Sequence, residues 1–407
     1  MSRRRNGAAT VTRESTYHRD TATWVAFAAL FAFGILNAAL GPALPYLRQT
    51  EHTSYLVGAL HQVAYSIGGM MAGIQAIHSN ASRRRTIVGG LSGAAVASLL
   101  LGYGRVLPLT AAAALLISAL ATAALIRLWA LLADLHHRDR AVAMTEGEVA
   151  VSLAGFVTPA VISACAATAL SWRFSFVIAC VLVTAAAIGV AVTRLPDPAG
   201  LQTPDTTGAE TAETKTAENA DVGEVTHSHR RTLTTIFAIV GLEFTLNFWA
   251  ASYLHDDVGI AQDTAAGLVS GLYAANLVGR VLVSRLARTL RATIVLRLSL
   301  AAALAGCPIL LAAHDTAVAM LGLAVAGIGI GGTFPLASSL HVAASGRSAD
   351  QALGQILTVA GIGQITGPLT AGALAQTADL RLGLLVLPAL ILLAGATTFS
   401  ARARPSG

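Results

Sequence analysis

Residues 107–133 read LPLTAAAALLISALATAALIRLWALLA, and Arg127 is the only charged residue among them. A helix needs about 20 mainly apolar residues to cross the hydrocarbon core of a bilayer. Backbone amides cannot stay unpaired in lipid, and the strands of a membrane barrel are shorter and alternate in polarity. The stretch therefore predicts a transmembrane helix.

Comparable apolar stretches fill almost all of the remaining chain, so the sequence predicts an all-α polytopic membrane protein with twelve transmembrane helices. We number the predicted spans 1 to 12 along the chain. Spans 1 to 6 are expected at about 24–47, 54–77, 86–104, 107–133, 141–169 and 173–194. Spans 7 to 12 are expected at about 232–254, 264–286, 292–313, 316–343, 351–377 and 381–401.

The two halves of the chain share residues at a spacing of about 208 positions. Tyr65 recurs as Tyr273, and Pro159 recurs as Pro368. A duplication is the simplest cause. Because an even number of helices separates equivalent points, both halves have one orientation in the membrane. This predicts two six-helix bundles related by a pseudo-two-fold axis along the membrane normal.

A polar segment separates the two halves. Residues 195–230 are rich in Pro, Thr, Ala, Glu and Asp, a composition that cannot bury a core, so we expect a disordered cytosolic linker. The predicted organisation is a cytosolic tail at 1–20, bundles at 21–194 and 231–401, and a second cytosolic tail at 402–407.

The positions of the basic residues predict the orientation of the chain. Of 27 Lys and Arg residues, only Arg48, Arg105, Arg173 and Arg381 fall in loops that lie outside if the N-terminus is inside. Basic residues concentrate in cytoplasmic loops. We therefore expect a multi-pass protein of the inner or plasma membrane with both termini in the cytoplasm, and no nucleic-acid partner.

Two segments resemble signatures of the major facilitator superfamily. Residues 279–288, GRVLVSRLAR, are similar to its basic cytoplasmic loop after span 8, and residues 78–85, HSNASRRR, keep the basic cluster without the usual Asp. Residues 363–368 in span 11, GQITGP, are similar to a Gly-Pro motif that exporters usually carry in span 5. Residues 40–47, LGPALPYL, are similar to bacterial permeases related to the fucose permeases.

The resemblance covers residues 21–401 and implies a secondary transporter that moves a small organic solute by rocking two bundles. The Arg that many proton-driven drug exporters carry in span 4 would fall near Ala114 and is absent. This absence weakens the interpretation as a multidrug or toxic-compound exporter, which is kept as the alternative to a permease, and the direction of transport stays open.

Ionisable residues within spans point to function, because burying a charge in lipid is costly. Glu243 lies near the middle of span 7, Asn247 shares its helical face, and Asn276 of span 8 lies at a matching depth. We predict that Glu243 takes up and releases a proton as the cavity opens to either side. A fixed hydrogen bond to a neighbouring helix is the structural alternative.

Further polar residues are predicted to line a substrate site. Asn37 and Tyr65 lie at one depth on adjoining spans, His61 is one turn from Tyr65, and Tyr65 matches Tyr273 of the second half. Aromatic rings with a polar edge suit an organic substrate. His61 could relay protons, or it could be held by fixed hydrogen bonds.

Four charged residues are predicted to form buried ion pairs or to take part in gating. Arg127 and Glu146 lie at equal depth on spans 4 and 5, which predicts an ion pair. Glu148 cannot share the face of Glu146, so one of the two could face the cavity. We expect Arg280, near the inner end of span 8, to extend to the interface or to brace the basic loop.

The sequence thus predicts a monomeric, lipid-embedded secondary transporter that is coupled to protons and needs no cofactor. It carries no phosphate-binding loop, nucleophile elbow or metal-ligand spacing, so we expect neither ATP drive, enzymatic activity nor a metal. A membrane-embedded sensor or enzyme, in which the linker recruits a partner, is the alternative from another class.

Overall fold

The computed structural model describes residues 19–78, 81–136, 140–194, 222–345 and 349–399. Every regular element within these ranges is a helix. The first half contains α1 (Thr21–Glu51), α2 (Tyr55–Gly58), α3 (Leu60–His78), α4 (Arg83–Tyr103), α5 (Leu107–Leu135), α6 (Arg140–Ala166) and α7 (Phe174–Val192). The second contains α8 (Val222–Asp256), α9 (Gln262–Leu286), α10 (Ala292–Leu311), α11 (Thr316–Ile330), α12 (Thr333–Ser345), α13 (Ala349–Ala375), α14 (Leu380–Gly383) and α15 (Val386–Phe399).

These helices form the twelve predicted spans. Within the described residues, eleven helical segments are long and apolar enough to cross a membrane. The other span contains α3, whose first half carries the polar residues His61, Gln62 and Tyr65. Large apolar side chains such as Val96, Val181 and Leu392 point outward, which suits a surface immersed in lipid.

Three spans that were expected to be single helices are each divided in two. Span 2 is α2 and α3, span 10 is α11 and α12, and span 12 is α14 and α15. The break in span 10 falls at Gly331, where a Cβ atom would lie 2.0 Å from the carbonyl oxygen of Asn276. The backbones of spans 8 and 10 therefore touch at the break, and only glycine fits there.

The predicted linker differs from the structure at its end. Helix α8 begins at Val222, inside the segment 195–230 that we expected to be non-helical. Residues 195–221 lie outside the described residues, as do most of the N-terminal tail and all of the C-terminal tail. Asp20 is described, and its side chain accepts the backbone N–H of Thr23 at 2.8 Å to cap α1.

The two bundles have the same internal packing, which confirms the pseudo-two-fold architecture. In the first, α1 packs against α6, α5 packs against α3 and α4, and α4 packs against α7. In the second, α8 packs against α13, α11 packs against α9 and α10, and α10 packs against α15. Contacts between bundles follow the same symmetry: α3 meets α13, α6 meets α9, and α1 meets α8.

Helices α1 and α8 approach closely along the axis between the bundles. A Cβ atom on Gly41 would lie 2.3 Å from the carbonyl oxygen of Asn247, so glycine is needed for this approach. We call the end of the molecule where α1 and α8 terminate the Arg48 end, and the opposite end, where α4 begins, the Arg83 end. The charge pattern predicts that the Arg48 end is outside.

Candidate transport cavity

A cavity lies between the two bundles and receives side chains from both. It contains about 820 Å³ of empty space, including the part open to solvent. Helices α1, α3 and α6 line it from the first bundle, and α8 and α9 line it from the second. Its polar and charged lining residues are Asn37, Gln62, Tyr65, Ser152, Glu243, Asn247, Tyr273, Asn276 and Arg280.

In the first bundle, the structure brings Tyr65 and Asn37 together, as their equal depth suggested. The Tyr65 hydroxyl donates to Asn37 Oδ1 at 3.0 Å. Gln62 also lines the cavity and donates to Ser66 Oγ at 3.2 Å. The sequence reasoning missed Gln62, although it lies one turn before Tyr65 on the same helix face and could have been found from that spacing.

In the second bundle, Glu243, Asn247 and Asn276 all line the cavity. The charges that act on Glu243 among the described residues are those of Arg280 and Glu148. Asn276 is only 6% exposed, and its Oδ1 atom has no hydrogen-bond partner among the described residues. A buried amide oxygen without a partner is costly to maintain, so this atom is available to a ligand.

Arg280 lines the cavity and bonds two groups of the protein, and its extension to the membrane interface stays a prediction. Its Nη1 atom donates to Glu148 Oε2 at 3.0 Å, and its Nε atom donates to the carbonyl oxygen of Gly331 at 3.1 Å. The break in span 10 leaves this helix-end carbonyl without an internal partner, which explains why the guanidinium turns toward it. The pair between Arg280 and Glu148 joins α9 to α6, and thus one bundle to the other.

The bundles are also joined at the Arg48 end. Arg48 Nη1 lies 2.8 Å from Asp256 Oδ2, and the Tyr55 hydroxyl donates to the same oxygen at 3.0 Å. The guanidinium carbon of Arg48 lies 3.8 Å from the centre of the Tyr55 ring, a cation–π contact. Arg48 and Asp256 are 208 residues apart, the repeat spacing, so they occupy equivalent positions beside the axis.

Comparison with known proteins identifies the family. The family model of the Major Facilitator Superfamily matches residues 24–368. The chain belongs to the major facilitator superfamily. It is therefore a transporter of small molecules and not an enzyme, as the sequence predicted. A search of the curated proteins found no match.

Solved structures show the same superfamily fold at low sequence identity. A bacterial homologue of the human lysosomal transporter Spinster, in an inward-facing and occupied conformation, has a TM-score of 0.72 at 13% identity and covers 95% of this chain and 98% of its own. The nucleoside transporter NupG has a TM-score of 0.70 at 14% identity, with coverage of 94% and 99%. The human organic anion transporter MFSD10 (TETRAN) has a TM-score of 0.65 at 17% identity, with coverage of 94% and 100%.

His61 does not line the cavity of this superfamily member. Its ring is fully buried, with Nδ1 at 3.0 Å from the Gly58 carbonyl oxygen and Nε2 at 2.9 Å from Thr110 Oγ1. Glu51 Oε1 lies 3.5 Å from Nε2. The break between α2 and α3 leaves the Gly58 carbonyl available to the ring, so the expected neighbour of Tyr65 faces α5 instead.

Glu146 and Glu148 point to different partners, as their spacing required. Glu146 forms an ion pair with Arg19, whose Nε atom lies 2.9 Å from Glu146 Oε2, near the Arg83 end. Glu146 and Arg127 are not among the residues that line the cavity. The ion pair between Arg127 and Glu146 stays a prediction.

The sequence reasoning missed the contact between Arg48, Tyr55 and Asp256 at the Arg48 end. Arg48 was counted only as an outside loop residue, and Asp256 and Tyr55 were not considered. A signal was present, because two ionisable residues of opposite sign occupy equivalent positions of the repeat. Within the described ranges, no three His, Cys, Asp or Glu residues are grouped so that they could hold a metal ion.

Proposed function

We propose that this chain is a proton-coupled secondary transporter that moves a small organic solute through the cavity between its bundles. It works as a monomer in the inner or plasma membrane, with both termini in the cytoplasm. The observation that carries the proposal is the position of Glu243, an ionisable residue on the wall of a cavity that both bundles line. Ionisable residues inside membrane domains mark ion and substrate pathways.

The charges around the cavity give a way to couple protonation to movement of the bundles. Arg280 bonds Glu148 across the bundle interface, and the charges of both act on Glu243, which lines the same cavity as Arg280. Protonation of Glu243 removes one of the two negative charges that attract Arg280. The interaction of Arg280 with Glu148 then becomes stronger. The proton on Glu243 thereby changes a contact between the bundles, which is the element that has to move.

The test begins with a thermal-shift screen of the purified chain in detergent, with D-fucose, uridine, lactate and choline as probes. A solute that binds only the folded state raises the apparent stability. The stabilising solute is then offered to proteoliposomes under a pH gradient. We expect Glu243→Gln to abolish accumulation driven by the gradient while leaving the fold intact.

The matched control is Asp263→Asn, which removes a carboxylate at the start of α9 that is outside the cavity lining. This variant should accumulate solute as the wild-type chain does. Gradient-driven accumulation that survives in Glu243→Gln would remove Glu243 from the coupling mechanism. The proposed orientation is tested separately, by labelling Cys introduced at Arg84 and at His52 from either side of the membrane.

A further inference from the structure

The charges of the residues around the cavity do not sum to zero. Glu243 and Arg280 line the cavity, and the other lining residues are neutral at pH 7. Glu148 Oε2 lies 3.0 Å from Arg280 Nη1, so the Glu148 carboxylate neutralises the positive charge of Arg280. No ion pair of Glu243 is formed among the described residues, so the group of Glu148, Glu243 and Arg280 carries one net negative charge when both carboxyls are ionised. A charge of this kind attracts a cation and repels an anion.

One hydrogen-bonding group of the cavity favours the same ligand chemistry. Arg280 donates to Glu148 and to the Gly331 carbonyl oxygen, and the Tyr65 hydroxyl donates to Asn37. The acceptor Asn276 Oδ1 is buried and has no partner among the described residues. A ligand with hydrogen-bond donors would complete the site, because unpaired buried acceptors are costly.

Aromatic rings complete the cavity wall. Tyr65 and Tyr273 come from equivalent positions of the two halves, and Phe244 and Phe248 come from α8. The faces of aromatic rings attract cations, and most strongly where water is excluded. Net charge, unpaired acceptor and aromatic wall all favour the same ligand chemistry.

From these features we infer that the solute is a small organic cation with at least one hydrogen-bond donor, and that it exchanges for a proton at Glu243. This rests on the proposed function and adds the substrate class and the mode of coupling. One carboxylate cannot hold a proton and form an ion pair with a cation at the same time. Each therefore displaces the other, and a singly charged solute exchanges one for one without net transfer of charge.

Exchange at one carboxylate fixes the relative direction of the two fluxes. The bundles can change orientation with a proton or with a cation on Glu243, and each is released to the side where the other is abundant. A membrane that is more acidic outside would thus drive the cation out of the cell.

Binding of choline to the detergent-purified chain tests the substrate class. Choline has a permanent positive charge and a hydroxyl donor, and 3,3-dimethylbutanol is its uncharged counterpart. We expect choline to raise the melting temperature at pH 8, and 3,3-dimethylbutanol, uridine and lactate to have no effect. Where the proton competes fully, the apparent Kd for choline should increase about tenfold for each unit of lower pH.

Variants at position 243 test the site. Glu243→Gln should weaken choline binding at pH 8 by at least about tenfold and remove its pH dependence. Glu243→Asp keeps the charge and should keep the pH dependence, which separates the role of the carboxylate from damage to the fold. Asp263→Asn should bind choline as the wild-type chain does.

Transport in proteoliposomes tests the exchange. A gradient with acid inside should drive choline uptake, and an internal pH dye should report the loss of protons. Stabilisation and transport of D-fucose, uridine or lactate in place of choline would overturn the substrate class and leave the proposed transporter intact. The absence of choline binding at pH 8 would also overturn the class. Choline uptake that follows the proton inward would overturn exchange, and unchanged coupling in Glu243→Gln would overturn the proposed function as well.

Discussion

Arg280 bonds Glu148 of the other bundle and the Gly331 carbonyl of its own bundle, so its replacement should weaken both contacts. Arg280→Gln leaves the Glu148 carboxylate and the Gly331 carbonyl without their donors. The two charged side chains are 38% and 51% exposed, so solvent screening limits their coupling to about 1 kcal/mol or less. Melting temperatures of Arg280→Gln, Glu148→Gln and the double variant form a cycle that measures this coupling.

Additive effects in that cycle would mean that the ion pair contributes nothing. In that case the loss in Arg280→Gln would come from the Gly331 carbonyl alone. Arg280→Lys is the useful comparison, because it keeps the charge but cannot donate to both partners in the fixed geometry of a guanidinium.

Asp257 gives a pH-dependent prediction outside the membrane-spanning helices. Burial raises the pKa of this carboxyl, although the backbone N–H of Arg381 donates to its Oδ1 atom at 3.3 Å and opposes the shift. The folded chain therefore binds this proton more readily than the unfolded chain. The contribution of Asp257 to stability is greatest at acid pH and decreases as the pH rises through the folded pKa.

Asp257→Asn should remove this dependence. Its amide oxygen can still accept from Arg381, and it carries no charge to desolvate. The melting temperature of the variant minus that of the wild-type chain should be a larger difference at pH 7.5 than at pH 4.5. A difference that is the same at both pH values would contradict the raised pKa.

Counting depth along predicted spans found most of the cavity, because side chains that project from helices at one level meet in the middle of a bundle. Asn37, Tyr65, Glu243 and Asn276 were placed in this way, Asn247 was placed by sharing the face of Glu243, and all of them line the cavity. Depth did not predict the bonds of His61 and Arg280, since each turns toward a carbonyl group beside a helix break. Depth gives no information on such local bonds.

The break in span 10 positions both Arg280 and α9, so its glycines should resist substitution. A Cβ atom on Gly331 would lie 2.0 Å from the Asn276 backbone oxygen, and this oxygen cannot rotate away. Gly331→Ala should therefore push α9 outward, destabilise the chain by about 1–3 kcal/mol and lower transport. Thermal unfolding and transport assays measure the two effects.

Gly354→Ala is the matched control for this prediction. Gly354 lies in helix α13, and a Cβ atom there would meet nothing within 4 Å. The substitution should be neutral or stabilise the helix by up to about 1 kcal/mol. Equal melting temperatures for Gly331→Ala and the wild-type chain would show that spans 8 and 10 do not touch as described.

Hydropathy predicted the spans well but could not divide them. The apolar stretch of span 10 runs from Ala317 to Gly332 without a polar residue, because a break inside a protein needs only a partner for the freed carbonyl, and Arg280 supplies it from another span. In span 12, the break between Gly383 and Val386 is likewise apolar in sequence. Breaks of this kind depend on neighbours in space, which a window along the chain does not contain.

The contact at the Arg48 end belongs to the molecule as a whole, because the repeat places its two charges. Arg48 and Asp256 occupy equivalent positions, so they face each other beside the symmetry axis and can pair when the bundles meet at this end. Their side chains are 14% and 25% exposed, which makes the pair less screened than one in open solvent. We expect the pair to hold this end of the cavity closed.

Reversal of one charge should open this end, and reversal of both should close it again. Arg48→Asp places two carboxylates together, and Asp256→Arg places two guanidinium groups together. The double variant restores an opposite pair with the bundles exchanged. If a reversal removes about 1 kcal/mol of stabilisation from the closed state, the population that is open at this end should rise about fivefold.

Spin labels at His52 and Ala261, which are exposed and belong to different bundles at the Arg48 end, measure the opening by pulsed electron paramagnetic resonance. The wild-type chain should give one short distance, each single variant should add a longer one, and the double variant should return to the short distance. Tyr55 contacts both charged residues, since its hydroxyl bonds Asp256 and its ring packs on Arg48, so the recovery in the double variant should be incomplete. Tyr55→Phe loses only the hydroxyl, so it should be less open than either charge reversal. If both single reversals keep the wild-type distance, aromatic and backbone packing alone close this end, and the symmetric charges have no part in the cycle.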